Sequence, residues 1–385
     1  MIRYLEKSEF GACRPLWQEA FPEDSREFAD YYFDKKILQS SVLVKEDGTG
    51  RIVTMAHMNP YRINMGKKMW KLDYIVGVAT AADSRHRGHM RDVLMKMLGD
   101  MHQDRKPFCY LMPASPDIYR PFGFRYIFDQ PQYRLGSEAK ECLQRRELRL
   151  DGNLCSSLAG WMNHWLSSRY QVYALRDRDY MEMLQSELDS EAGSVYGWYD
   201  VSGSLQAFQA FWGREKQEQR FLYAGRDRWL ERDSGQDLGG RDLMEISDGQ
   251  KQRILLARAI CQDPEAIVLD EGCPCPAMDV MINIHDPLIP GNSGLWRWKI
   301  DGNGSSLTKK GVSLPKIHTG ECAEEPDYPG TLVSTEVLDI TIEQLASWLF
   351  GYSALEELAE GEQNGVPFWC AYVQVLDGVY LDEVV

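Results

Sequence analysis

No run of 18 apolar residues occurs in this chain of 385, which excludes a membrane-spanning helix on length alone. The opening residues, MIRYLEKSEF, have no apolar core of the kind that directs secretion. The nine cysteines (Cys13, Cys109, Cys142, Cys155, Cys261, Cys273, Cys275, Cys322 and Cys370) are scattered without a regular framework. An odd count without a secretory leader predicts reduced thiols and a cytoplasmic chain. Cys273-Pro274-Cys275 is spaced too closely for a zinc-finger pair, and no metal is expected. Positive charge is also short: 43 Lys and Arg stand against 58 Asp and Glu, a net −15. That argues against non-specific nucleic-acid binding and is compatible with a cationic ligand, although solubility alone would also account for it. A Gly-x-x-x-x-Gly-Lys-Ser/Thr loop is missing too, so nothing would cradle the phosphates of a nucleoside triphosphate.

What is present is ordinary for a globular protein, with 44% hydrophobic and 26% charged residues. The length predicts two or three domains, each able to bury its own core. The most informative stretch is Tyr74–Leu98, YIVGVATAADSRHRGHMRDVLMKML. Ile75, Val76, Val78 and Ala79 predict a buried strand, and Val93, Leu94, Met97 and Leu98 recur at helical spacing. Between them lies Arg85-His86-Arg87-Gly88-His89-Met90. A helix start offers free N–H groups and the positive end of a dipole, so this turn can seat a phosphate. Gly88 would allow close backbone approach, while Arg85, Arg87 and Arg91 would add charge. Taken bare, the turn is either such a seat or a solvated cap.

Arg-x-x-Gly-x-Met after a Val-x-Val-Ala-Thr strand resembles the acetyl-CoA pyrophosphate loop of the GNAT acetyltransferases. The resemblance implies that Val78, Ala79 and Thr80 hold the pantetheine arm by backbone bonds. Arg85, His86, Arg87, Gly88, His89, Met90 and Arg91 would seat the pyrophosphate, with His86 and His89 as solvent-facing neighbours.

A second segment, PASPDIYRPFGFRY at Pro113–Tyr126, has too many prolines and glycines for a regular element. From the residues alone, Tyr119 reads as a half-buried aromatic stacking on Phe122 and Phe124. However, Ala-Ser-x-x-Ile-Tyr-x-x-Phe-Gly-Phe is similar to a loop of the Eis-type (enhanced intracellular survival) branch of the GNAT family, with Ser115 in its Ala-Ser pair. That likeness implies that Tyr119 is the general acid and adds Ser115 to the cofactor site.

The likeness extends along the chain. Tyr170–Gly193 resembles the central domain of Eis-type proteins, a GNAT-like fold without a catalytic centre, and no turn like Arg85–Met90 recurs there. Asp286-Pro287-Leu288-Ile289-Pro290 and Leu349-Phe350-Gly351-Tyr352 are similar to the family's sterol-carrier-like C-terminal domain, which is architectural there. The chain closes on Val384 and Val385, an apolar end that suggests docking. The resemblance implies that the Val385 carboxylate is the general base, against the bland alternative of a solvated sheet-edge residue.

One segment fits poorly. Residues 239–271 carry Ile246-Ser247-Asp248-Gly249-Gln250 and Ala266-Ile267-Val268-Leu269-Asp270-Glu271, which resemble the signature and Walker B segments of ABC-transporter ATPases. Without a P-loop no ATP hydrolysis is expected. Either an ATPase-gene fragment has replaced part of the third domain, or the segment fills the vacancy as a local helix and strand. The first reading would put the Val385 base at risk.

The sequence therefore predicts an α+β protein with tandem GNAT folds followed by a sterol-carrier-like domain, divided as residues 1–130, 131–235 and 236–385. The expected function is acetyl-CoA-dependent N-acetylation of a small cationic molecule or a lysine amine. A homo-oligomer is expected, with neither a nucleic-acid nor a membrane partner. The rival is a CoA-binding pseudoenzyme whose third domain no longer delivers a base.

Overall fold

A computed structural model of the chain describes residues 1–66, 68–129, 133–214, 217–232, 277–301, 304–310, 331–354, 357, 365–376 and 378–381, with the backbone of 254–259. The first region contains strands β1 (Ile2–Tyr4), β2 (Ser41–Glu46), β3 (Ile52–Met65), β4 (Lys68–Thr80), β5 (Phe108–Leu111) and β6 (Arg125–Asp129). Its helices are α1 (Arg14–Ala20), α2 (Arg26–Asp34) and α3 (His89–Gln103). The hairpin between β2 and β3 turns at Asp47. Its carboxylate accepts bonds from the Thr49 and Arg51 amides, and Gly50 takes φ +85°. Strands β3 and β4 are long, at 14 and 13 residues.

The second region contributes β7 (Tyr133–Leu135), α4 (Ser137–Cys142), β8 (Gln144–Leu148), α5 (Gly152–Ser167), β9 (Val172–Ala174) and α6 (Arg178–Ser190). It continues through β10 (Ser194–Tyr199), β11 (Leu205–Trp212), β12 (Glu218–Ala224) and β13 (Leu230–Arg232). Its main sheet, in the order β12-β11-β10-β8, is antiparallel throughout.

Beyond it come β14 (Ile254–Ala259), β15 (Met278–His285), β16 (Gly294–Asp301), β17 (Gly304–Lys309), β18 (Leu332–Thr341), α7 (Ile342–Leu349) and β19 (Val379–Tyr380). Strands β17-β16-β15-β18 form one sheet, with Trp298, Trp348 and Trp369 buried in its core. Helix α7 starts in a reciprocal capping box between Thr341 and Gln344. It also fastens this domain to the first, because Ser347 Oγ donates to the Tyr126 carbonyl (3.1 Å) and Glu343 pairs with Arg125 (3.5 Å).

The first sheet has the order β1-β2-β3-β4-β5-β14-β6, with β9 added to β3 and β19 added to β9. Strand β14 pairs antiparallel with both β5 and β6. A strand from the ATPase-like segment thus completes the N-terminal sheet, which a boundary at residue 130 does not anticipate. The sequence could not give this pairing because it joins residues more than a hundred positions apart. The rest of 239–271, with the signature and Walker B residues, lies outside the described residues, as does Cys273–Cys275.

The two faces of this sheet bury different cores. Helix α3 packs Val93, Leu94, Met97, Leu98 and Met101 against Leu43, Ala56 and Ile75. On the other face α1 and α2 pack Trp17, Phe28, Tyr32 and Phe33 against Val42, Val44 and Met55. Alternation along β2 and β3 produces this division, since neighbouring residues point to opposite sides.

Candidate active site

The site forms where β4 and β5 separate. They are parallel, but pairing covers only Tyr74 with Tyr110 and Ile75 with Leu111. From Val76 to Thr80, β4 keeps β3 as its only strand partner among the described residues. The β3–β4 register also slips here, since His57 faces Val76 while Met55 faces Ala79. That bulge places Gly77 at φ +60°, where a side chain is strained. The backbone edge turned away from β3 is therefore open beside the start of α3. A peptide edge without a partner can hold an extended, amide-containing ligand by main-chain bonds.

Arg85–Met90 forms the expected turn. Gly88 is the N-cap of α3 at φ +78°, and no side chain caps the helix. The first free amides thus face outward with the dipole behind them. His86 also takes a positive φ, +60°, which exposes the turn backbone. Arg85, Arg87 and Arg91 are all exposed. Arg85 Nε donates to the Thr80 carbonyl at 3.2 Å and ties the turn to the strand end. One of the three predicted strand residues therefore already spends its carbonyl within the protein. His86 is exposed as expected, but His89 is half-buried and its Nδ1 has no hydrogen-bond partner. Val78 and Thr80 are partly buried and Ala79 is buried.

Across the opening, Ser115 begins two short 3-10 turns, Pro116–Ile118 and Arg120–Phe122, with Tyr119 between them. The Tyr119 amide donates to the Pro116 carbonyl at 2.9 Å, and its ring meets Phe124 edge-on at 5.8 Å. Gly123 closes the loop at φ +75°. Burial pushes the Tyr119 phenol above its ordinary range, so it stays protonated at neutral pH. The Arg91 guanidinium lies 6.0 Å from the Phe122 ring and links this loop to α3. The basic turn, the open strand edge and the tyrosine loop therefore lie together around one packed cluster.

Beneath the bulge lies a group the sequence reading did not identify. His57 is fully buried and shares a 2.9 Å hydrogen bond between its Nδ1 and the Tyr32 hydroxyl. Burial lowers its pKa to about 3, which keeps the imidazole neutral, and its Nε2 has no partner. Trp17 stacks on Tyr32 (4.4 Å) and His57 (5.5 Å), and its indole N–H donates to Asp24 (2.8 Å). A Cβ on Gly77 would lie 2.7 Å from Trp17 Cζ3 and 3.2 Å from His57 Nδ1. A glycine inside a strand marks a bulge or a close approach, and that signal was available at Gly77. Nothing comparable marks His57, because a lone strand histidine reads as core.

Strand β19 runs parallel to β9, which is antiparallel to β3. It therefore points the same way as β4, toward the bulge. Tyr380 packs on Phe128, Tyr170 and Tyr223, and Leu381 is fully buried. Val385 lies outside the described residues.

This geometry belongs to the GNAT class. The family model for the acetyltransferase (GNAT) domain matches residues 1–127, and that for the sterol carrier protein domain matches residues 271–363. The chain thus carries a GNAT acetyltransferase domain and a sterol-carrier-like domain, and the α+β architecture is the expected one. Neither model reaches the ATPase resemblance of 239–271 beyond its last residue, and nothing in them supports it. Among solved structures, a probable N-acyltransferase from Enterococcus faecalis is similar over 100% of this chain and 99% of its own, at 14% identity and a TM-score of 0.71. A GCN5-related N-acetyltransferase from Anabaena variabilis is similar over 99% of both chains, also at 14% identity and 0.71. Eis1 from Mycobacterium abscessus is similar over 100% of this chain and 99% of its own, at 14% identity and a TM-score of 0.61. The fold is therefore Eis-like along the whole length.

Proposed function

We propose that this protein transfers the acetyl group of acetyl-CoA to an amine of a small cationic molecule or a lysine. The observation that carries the reading is the separation of β4 from β5 beside the uncapped start of α3. The residues fit the cofactor at both ends. Arg85, Arg87, Arg91 and the amides after Gly88 suit a pyrophosphate, and the open Val76–Ala79 edge suits the amides of pantetheine.

In the reaction the amine nitrogen attacks the thioester carbonyl, forming a C–N bond, and the C–S bond then breaks. An outward N–H of the bulge would carry the developing oxyanion. The departing thiolate takes a proton from Tyr119, and the surplus proton that the nitrogen sheds as the amide forms returns the phenol to its neutral form. An alkylamine such as lysine has a pKa near 10.4, so it must lose a proton before it can attack. The Val385 carboxylate, reaching the amine through water, is the proposed base. The direction of β19 supports this, because its chain heads toward the bulge.

Release of free CoA thiol, followed across a panel of polyamines, aminoglycosides and lysine peptides, tests the reading. Acetyl-CoA consumption with at least one amine is expected, and removal of Val385 should abolish it while CoA binding persists. Equal rates with and without Val385 would remove the carboxylate from the mechanism. CoA binding without turnover of any amine would favour the pseudoenzyme.

A further inference from the structure

The polar pair under the bulge has no folding rationale of its own. Leaving His57 Nε2 buried without a partner carries a desolvation penalty that an apolar side chain would avoid. The ring is nonetheless held in one orientation by the Tyr32 hydroxyl on one side and Trp17 stacking on the other. The Gly77 backbone rests directly on these rings, at distances where even a methyl group would clash. The register slip occurs at the same level, with His57 opposite Val76.

We infer that Tyr32 and His57 are positioning residues that fix the β4 bulge at Gly77 and so aim the Val76–Ala79 backbone at the acetyl carbonyl. This rests on the acetyl-transfer reading. It assigns a role to groups that touch neither the cofactor's phosphates nor the proposed acid and base. Both side chains lie on the α1–α2 face of the sheet, whereas the basic turn leads into the helix on the other face. Losing the pair should therefore disturb the thioester end of the cofactor and leave the pyrophosphate end alone.

The test compares Tyr32→Phe, which deletes one oxygen and keeps the stacked ring, and His57→Phe with the unaltered full chain. Two quantities are read: the affinity ratio of acetyl-CoA to CoA, and amide hydrogen exchange at Val76–Ala79. In folded variants the ratio should fall about tenfold at unchanged CoA affinity, and exchange at the bulge should rise at least about tenfold while the Tyr61–Leu72 end of the hairpin is unaffected. A general loss of stability would instead raise exchange along the whole hairpin and overturn the inference, as would an unchanged ratio and unchanged exchange. If one variant does not fold, the other decides. An unaltered chain that binds neither acetyl-CoA nor CoA would overturn the acetyl-transfer reading, and the exchange measurement would still decide whether the pair fixes the bulge.

Discussion

Of two sheets in this molecule, the nine-stranded one is split and the four-stranded one closed. In the first, β4 and β5 lie parallel for two residue pairs and then part. In the central sheet every neighbour is antiparallel, in the order β8-β10-β11-β12, and pairing continues from end to end through two register shifts. Splitting a sheet exposes main-chain donors and acceptors that would otherwise satisfy each other, a cost a protein bears where a ligand will use them. The central sheet has no such gap and bears no such cost. What it supplies instead is mass and a second wall, with α6 packed on α2 and a buried Glu187–Arg220 ion pair at 3.1 Å.

That contrast can be broken experimentally. The largest effect is expected from Glu187→Gln, which leaves the Arg220 charge buried beside a neutral amide. Denaturant unfolding should show a loss of about 3 kcal/mol or more. Acetyl-CoA affinity of the folded fraction should not change, and a parallel loss would mean that the central sheet contributes to the cofactor site. Tyr119→Phe should lower kcat about a hundredfold, the size of a lost general acid, with unfolding free energy unchanged. A variant with wild-type kcat would leave the aromatic-packing role as the whole account of Tyr119. Gly77→Ala should cost about 2 kcal/mol from the positive φ and the clash with Trp17, and should weaken acetyl-CoA binding as well.

The smallest effect concerns Asp24, whose carboxyl burial raises to about 6 despite the Trp17 indole bond. A raised acid in the folded state gives stability that is present below pH 4 and lost as pH climbs through 6. Asp24→Asn should therefore gain roughly 1 kcal/mol at pH 8, after allowance for partial exposure, and nothing at pH 4. A pH-independent difference between the two proteins would remove ionisation as its cause.

The outward half of the candidate site was legible because its chemistry is local. A strand, a basic turn, a glycine N-cap and a helix follow one another within 25 residues, and the structure places them as written. The tyrosine loop was legible from its prolines and glycine for the same reason. The inward half was not, because Trp17, Tyr32, His57 and Gly77 meet through four separate elements and carry no shared spacing. Strand β14 was hidden twice over. Its residues resemble an unrelated enzyme's, and its partners in β5 and β6 lie far back along the chain.

That inserted strand also governs when the site can exist. Roughly 125 residues separate β6 from β14, so at 5–20 residues per second a ribosome works for on the order of ten seconds after making β6 before its neighbour emerges. Until then β5 and β6 wait as open edges, and the acetyltransferase domain is an unfinished sheet rather than a module that folds first. Closing so long a loop also slows the search for the native pairing. A fragment ending near residue 130 is thus expected to aggregate rather than bind CoA, and the protein becomes competent for its cofactor as a whole, late in its own synthesis.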